Sequence, residues 1–142
     1  MYVKQLIVFL ENREGRLDNI TDILAKNDIN IVCLSLADTS EYGVIRMIVS
    51  DPEKAKEVLK AEGCSARLND VLAISMEQKA GSLSKLTKTF TKANINIEYM
   101  YTLNSSKSAG SMVLKCSDIE KGYAAVKEAG FDLVKPEEAY AV

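Results

Sequence analysis

The chain has 142 residues, 47% of them hydrophobic and 27% charged, with a formal net charge of −2, the proportions of a globular protein rather than of a disordered tail. Mild acidity argues against nucleic acid as a partner, since phosphate binding needs a concentrated positive surface. The absence of histidine removes Ser-His and Cys-His chemistry, and three cysteines without a CxxC pair offer no metal site.

The opening run MYVKQLIVFL is too short for a membrane span of ~20 residues and lacks the basic start of a signal peptide, so no membrane association and a cytoplasmic location are expected. Leu6 to Leu10 (LIVFL) reads as a central strand. The turn ENREGRL follows, then a helical stripe at Leu17, Ile20 and Leu24 that points one face at a core. Lys26-Asn27-Asp28 ends that helix, and Asn30 to Leu36 reads as a second strand. A polar turn over Asp38 to Gly43 leads to a third, Val44 to Val49, expected to pair with the second as an antiparallel hairpin. Asp51 before Pro52 is a helix start, a carboxylate cap followed by proline at the first helical position. Gly63 suits the left-handed residue after a helix end, and Ser65 to Leu68 supplies a fourth strand.

The same order then repeats. EQKAGSL stands 66 residues after ENREGRL, and NINI (Asn94 to Ile97) stands 66 after DINI (Asp28 to Ile31). After a one-residue change in loop length, Asp118 matches Asp51 and Gly130 matches Gly63. The second copy reads as a strand over Leu72 to Met76, a helix with Leu83, Leu86 and Phe90 on one face, and strands over Asn96 to Leu103 and Ser111 to Cys116. A capped helix and a last strand over Phe131 to Val134 complete it. The expected architecture is α+β: two ferredoxin-like βαββαβ units, antiparallel sheets with both helices on one face, at residues 1–69 and 70–142. No Pro/Gly/Ser-rich linker separates them. Strands Leu6 to Leu10 and Leu72 to Met76 are apolar on both sides, where a half-wet strand alternates. A covered second sheet face, and hence a homodimer, is the expectation.

Gly15 and Gly81 admit two readings. Either lets the chain reverse tightly between strand and helix, or lets a ligand reach the open N–H groups of the helix start. Neither turn is a phosphate loop, since GxxxxGK[ST] and GxGxxG are both absent. Lys79, Lys85, Lys88 and Lys92 gather along one helix, a pattern usual for a solvated face.

The turn ENREGRL, the apolar strand before it, the Asn-Ile pair opening the next strand and the βαββαβ order together resemble an ACT domain, the small regulatory module that binds amino acids. The resemblance covers the whole chain as two tandem copies. In serine-binding members the turn reads His-Glu-Asn-Arg-Pro-Gly, and the turn asparagine and one at the start of the second strand hold the ligand. The resemblance therefore implies a site at Asn12, Arg13, Glu14, Gly15, Arg16, Leu17 and Asn30, with Gln78, Gly81, Ser82, Leu83 and Asn96 in the second copy. An amide suits either end of a zwitterion. Asn30 and Asn96 also suit a purely local turn role. Leu10 and Met76 replace the histidine, which puts serine itself in doubt, and Glu14 replaces the proline.

The function implied is a non-catalytic sensor of a free amino acid, without cofactor or metal. The alternative is a regulatory subunit of a separate amino-acid biosynthetic enzyme. A catalytic role lacks a visible nucleophile with an adjacent base. An RNA-binding sheet would need aromatics on the third strand, which VIRMIV and SMVLKC do not have.

Overall fold

The computed structural model describes residues 2–38 and 41–142. The expected polar turn at Asp38 to Gly43 therefore lies partly outside the described residues. In chain order the elements are β1 (Val3–Glu11), α1 (Arg16–Lys26), β2 (Ile31–Asp38), β3 (Tyr42–Val49), α2 (Pro52–Ala61) and β4 (Ser65–Ile74). There follow α3 (Ser82–Lys92), β5 (Ile97–Ser105), β6 (Ser108–Cys116), α4 (Ile119–Glu128) and the short α5 (Pro136–Ala139).

The chain divides into two compact units with the cut between Asn69 and Asp70. The N-terminal unit comprises Lys4–Asn69 with Tyr140–Val142; the C-terminal unit comprises Asp70–Ala139 with Tyr2 and Val3. In the N-terminal unit the strand order is β2-β3-β1-β4, and in the C-terminal unit β4-β6-β5. The pairings are antiparallel, with Leu6 opposite Met47 and Ile31 opposite Val49 in the first unit, and Leu72 opposite Leu114 in the second.

Each unit buries one apolar helix layer against its strands. Leu6 and Val8, two apart on β1, share a face with Ile45, Met47 and Val49 and pack on Ile20, Ile23, Leu24, Ala55 and Leu59. The C-terminal unit repeats this with Leu72, Ile74, Leu114 and Cys116 under Leu86, Phe90 and Val126. Leu17 and Leu83, expected on the core faces of their helices, are instead exposed, at 37% and 47%. Both sit in the first helical turn, where the helix has only begun to lie along the sheet.

Three expectations change. The strands expected at Ser65 to Leu68 and Leu72 to Met76 are one strand, β4, which ends at Ile74. Asn69 does not break it, because its side-chain oxygen accepts a hydrogen bond from Gln5 Nε2 at 2.9 Å and satisfies a fully buried amide. The last strand shrinks to a single bridge, Leu133 with Ile74, and Val134 N–H donates to the Ala73 carbonyl at 2.8 Å. Pro136 then opens α5, which the sequence reading missed.

The second face of the strands is also buried over much of its length. Val71, Ala73, Leu103, Val113 and Ala139 are all buried, and Ser105 Oγ donates to the Glu138 carbonyl at 2.7 Å. In the N-terminal unit Ile7 and Ile48 are buried and Lys4 N–H donates to the Tyr140 hydroxyl at 2.7 Å. Burial on both sides of these strands is thus reached in one chain, so their two-sided apolarity does not by itself call for a second copy.

All four long helices end alike. Asp28, Gly63, Asn94 and Gly130 take left-handed backbones at φ 57°, 80°, 58° and 88°. In each, the next residue's N–H reaches back to the carbonyl five earlier (Ile29 to Leu24, Cys64 to Leu59, Ile95 to Phe90, Phe131 to Val126). At the starts of α2 and α4 the carboxylates of Asp51 and Asp118 accept from Lys54 N–H at 3.2 Å and Lys121 N–H at 3.1 Å. Asp51→Ala and Asp118→Ala should each lower stability by about 1 kcal/mol in urea unfolding. Unchanged midpoints would show the caps to be idle.

Candidate functional site

Both β–α turns have the same backbone. Gly15 and Gly81 are left-handed, at φ 81° and 91°, and a methyl group added at either would meet nothing within 4 Å. Glycine is therefore required by its torsion angle and not by crowding. Neither helix start has a side-chain cap. The first N–H of each is taken, Arg16 by the Arg13 carbonyl at 3.4 Å and Ser82 by the Lys79 carbonyl at 3.3 Å. No side chain occupies the N–H groups that follow, the kind of position that suits an anion.

Around these turns the charges differ. In the N-terminal unit Glu11 accepts Arg13 Nε at 3.0 Å and has Arg16 Nη2 at 3.8 Å, all on exposed side chains. In the C-terminal unit Lys79 Nζ lies 2.8 Å from Glu77, and that hydrogen bond holds the Glu77 carboxyl below its usual range. Asn12 N–H donates to the Glu41 carbonyl at 3.2 Å, tying the turn to the β2–β3 hairpin. At the matching position Gln78 Nε2 donates to the Gly110 carbonyl at 3.2 Å, tying the second turn to the β5–β6 hairpin. Gly110, at φ 73°, has that amide where a Cβ would stand, 2.6 Å away.

The expected site residues fall into two groups. Asn12, Arg13, Glu14, Gly15, Arg16 and Leu17 cluster at one end of their unit, as Gln78, Gly81, Ser82 and Leu83 do in theirs. Asn30 and Asn96 are not with them. Asn30 N–H donates to Ser50 Oγ at 2.9 Å, beside the pairing of Ile31 with Val49, whereas Asn12 follows the pairing of Glu11 with Tyr42. The length of β3 from Tyr42 to Val49, about 23 Å at ~3.3 Å per residue, separates the two ends. Asn96 is held likewise, its N–H on Ser117 Oγ at 3.0 Å.

Each turn borders an open groove toward the turn that follows the unit's second helix. In the N-terminal unit it measures about 430 Å³, walled by Phe9, Leu10, Ile20 and Tyr42 with Glu11, Arg16, Asn19, Glu62 and Cys64 around them. Burial, with the nearby Glu62 charge, pushes the Cys64 thiol pKa up, so it stays protonated at neutral pH and is a poor nucleophile. The C-terminal groove measures about 360 Å³ and includes Glu77, Lys79, Ser82, Lys85, Phe131 and Asp132. A further groove of about 560 Å³ lies between the second turn and its hairpin, lined by Gln78, Leu83, Thr102, Asn104 and Gly110. Tyr42, Glu62 and Cys64 escaped the sequence reading. Aligning the copies at offsets of 66 and 67 residues would have flagged Cys64 against Phe131 and Glu62 against Ala129.

Among the described residues no cluster of three metal-ligating side chains occurs, and no helix is long and apolar enough to cross a membrane. The fold and paired turns define a duplicated α+β module. The chain belongs to the ACT domain pair family, whose pattern matches residues 1–141. It is similar over its whole length to a protein from Bacteroides thetaiotaomicron of known crystal structure, with 35% identity, 98% of that chain covered and a TM-score of 0.92. It shares its fold with the regulatory subunit of aspartate kinase from Thermus thermophilus, at 18% identity and a TM-score of 0.62, covering 89% of this chain and 92% of that one. No curated protein matches.

Proposed function

We propose that this protein is a non-catalytic cytoplasmic sensor that binds a free amino acid at its β–α turns and signals through a change in association. The observation that carries this reading is the uncapped, left-handed glycine turn opening α1 beside Asn12 and the Glu11–Arg13–Arg16 cluster. Open helix N–H groups suit the ligand carboxylate, and the Asn12 amide suits either end of a zwitterion. Asn30 stands at the far end of the same unit, so a ligand using both asparagines takes them from two copies of the chain. Two β2 edges pairing antiparallel about a two-fold axis bring opposite strand ends together, Asn30 of one copy toward Asn12 of the other. Leu34 and Leu36, 44% and 50% exposed on outermost β2, supply apolar surface for that pairing.

The corresponding positions in the second copy are Gly81, Ser82, Leu83 and Gln78, with Asn96 from a second copy of the chain, and there the Gln78 amide is already engaged by Gly110. A second reading, a regulatory subunit of a separate amino-acid biosynthetic enzyme, is favoured by the same exposed Leu34 and Leu36 if their partner is another chain.

A thermal-shift screen against the proteinogenic amino acids tests the sensor. A ligand at a hundred times its dissociation constant should stabilise the protein by ~2.7 kcal/mol, and Asn12→Ala should weaken that response. No shift with any amino acid would remove amino-acid sensing. An unaltered response in Asn12→Ala would move the site elsewhere.

A further inference from the structure

The two copies keep the same turn but differ in what lies beside it. Phe9, Arg16, Asn19, Glu62 and Cys64 of the N-terminal groove stand where the C-terminal unit has Ser75, Ser82, Lys85, Ala129 and Phe131. Phe131 occupies the place of the small Cys64, and Lys85 Nζ closes over its ring at 5.2 Å from the centroid. The second groove, still about 360 Å³, is narrowed by its own side chains and has Ser82 and Ala129 in place of Arg16 and Glu62. The first, about 430 Å³, is lined by the apolar Leu10, Ile20 and Tyr42 together with the oppositely charged Glu62 and Arg16.

We infer that this N-terminal groove, between the Gly15 and Gly63 turns, is the binding site for one α-amino acid with an apolar side chain, and that the C-terminal groove is closed to it. Arg16 takes the carboxylate and Glu62 the ammonium, while Leu10, Ile20 and Tyr42 cover the hydrocarbon side chain. Arg16 can serve because Glu11 is already engaged by Arg13 at 3.0 Å and lies farther, 3.8 Å, from Arg16. A volume of about 430 Å³ falls within the range of small-molecule sites. Asymmetry follows: one ligand per chain, although the turn occurs twice. The assignment rests on the amino-acid-sensor reading and replaces Asn30 by Glu62 as the residue opposite the turn.

The test transplants the second copy's stopper into the first. Asn19→Lys with Cys64→Phe reproduces a pair that this fold already accommodates, and Cys64→Ser leaves the groove open. With L-leucine, L-methionine and L-phenylalanine as probes, wild type and Cys64→Ser should show a thermal shift and one bound ligand per chain by calorimetry. The double variant should show neither. Glu62→Gln, at an exposed position, decides the matter if the double variant fails to fold, and should weaken binding about tenfold or more through loss of one charge-assisted hydrogen bond. Retained binding in the folded double variant, wild-type affinity in Glu62→Gln, or two ligands per chain would overturn this assignment and leave the sensor reading standing. So would shifts given by polar or charged amino acids alone. A wild-type protein indifferent to every amino acid would remove both.

Discussion

Phe90→Ala is expected to destabilise the protein by about 3–5 kcal/mol, a large share of the 5–15 kcal/mol that holds an ordinary domain together. Phe90 is 1% exposed and is among the largest fully buried side chains, set between Leu72, Leu86, Cys116 and Val126. Removing the ring loses its transfer free energy and leaves a cavity that strand-held neighbours fill poorly. Phe90 also lies in the last turn of α3, its carbonyl accepting from Ile95 N–H at 2.9 Å, so the loss reaches the helix end that aims the chain into β5. Urea unfolding should show the midpoint drop. Native-state hydrogen exchange should place the lost protection in α3, α4, β5 and β6. A loss spread evenly over both units, or a cost below about 1 kcal/mol, would contradict the packing described.

Much of the fold was legible because it depends on local rules that the duplication states twice. Asp51-Pro52 and Asp118 announced their caps, and Gly63 and Gly130 their left-handed helix ends. Asp28 and Asn94 took the same left-handed role without glycine, which composition alone does not signal. The merging of two strands into β4 was hidden because Asn69-Asp70 looks like a break until Gln5 arrives from β1 to pair with Asn69. For the site, the turn was visible but its surroundings were not. The distance between Asn12 and Asn30 was implicit in the topology: α1 carries the chain back along β1, so a strand parallel to β1 must begin at β1's own start. Glu62 and Cys64 reach the turn only after α2 returns the chain to that end, a juxtaposition of residues about fifty apart in sequence. The copied feature is thus the backbone, set by torsion angles. The residues beside it have diverged in charge and volume, the two quantities that choose a ligand.

The same divergence runs through the cores and gives the second large effect. Gly122 lies in the interior of α4, where alanine would ordinarily gain about 1 kcal/mol in helix propensity. Here a Cβ would stand 2.8 Å from Cys116 Sγ, 3.2 Å from Phe90 Cε1 and 3.3 Å from Leu72 Cδ1. The first copy has Ala55 at that place, fully buried, with Leu24 for Phe90 and Val49 for Cys116. The ring and the missing methyl are one volume exchanged between two helices. Gly122→Val, which adds a branched side chain into that contact, should cost about 3 kcal/mol or more by overpacking. Gly122→Ala should destabilise with Phe90 present and less in Phe90→Leu, where the 2.8 Å approach to Cys116 Sγ remains. Its coupling with Phe90 should lie between about 0.5 and 3 kcal/mol, as for residues in contact. Cys116→Val added to the pair completes the first copy's set, in which an alanine is already fully buried at this place, and should recover further stability. The measurement is a double-mutant cycle by urea unfolding. Equal costs for Gly122→Ala in both backgrounds would mean that α4 shifts to admit the methyl, and that the glycine answers to something other than the Phe90 ring.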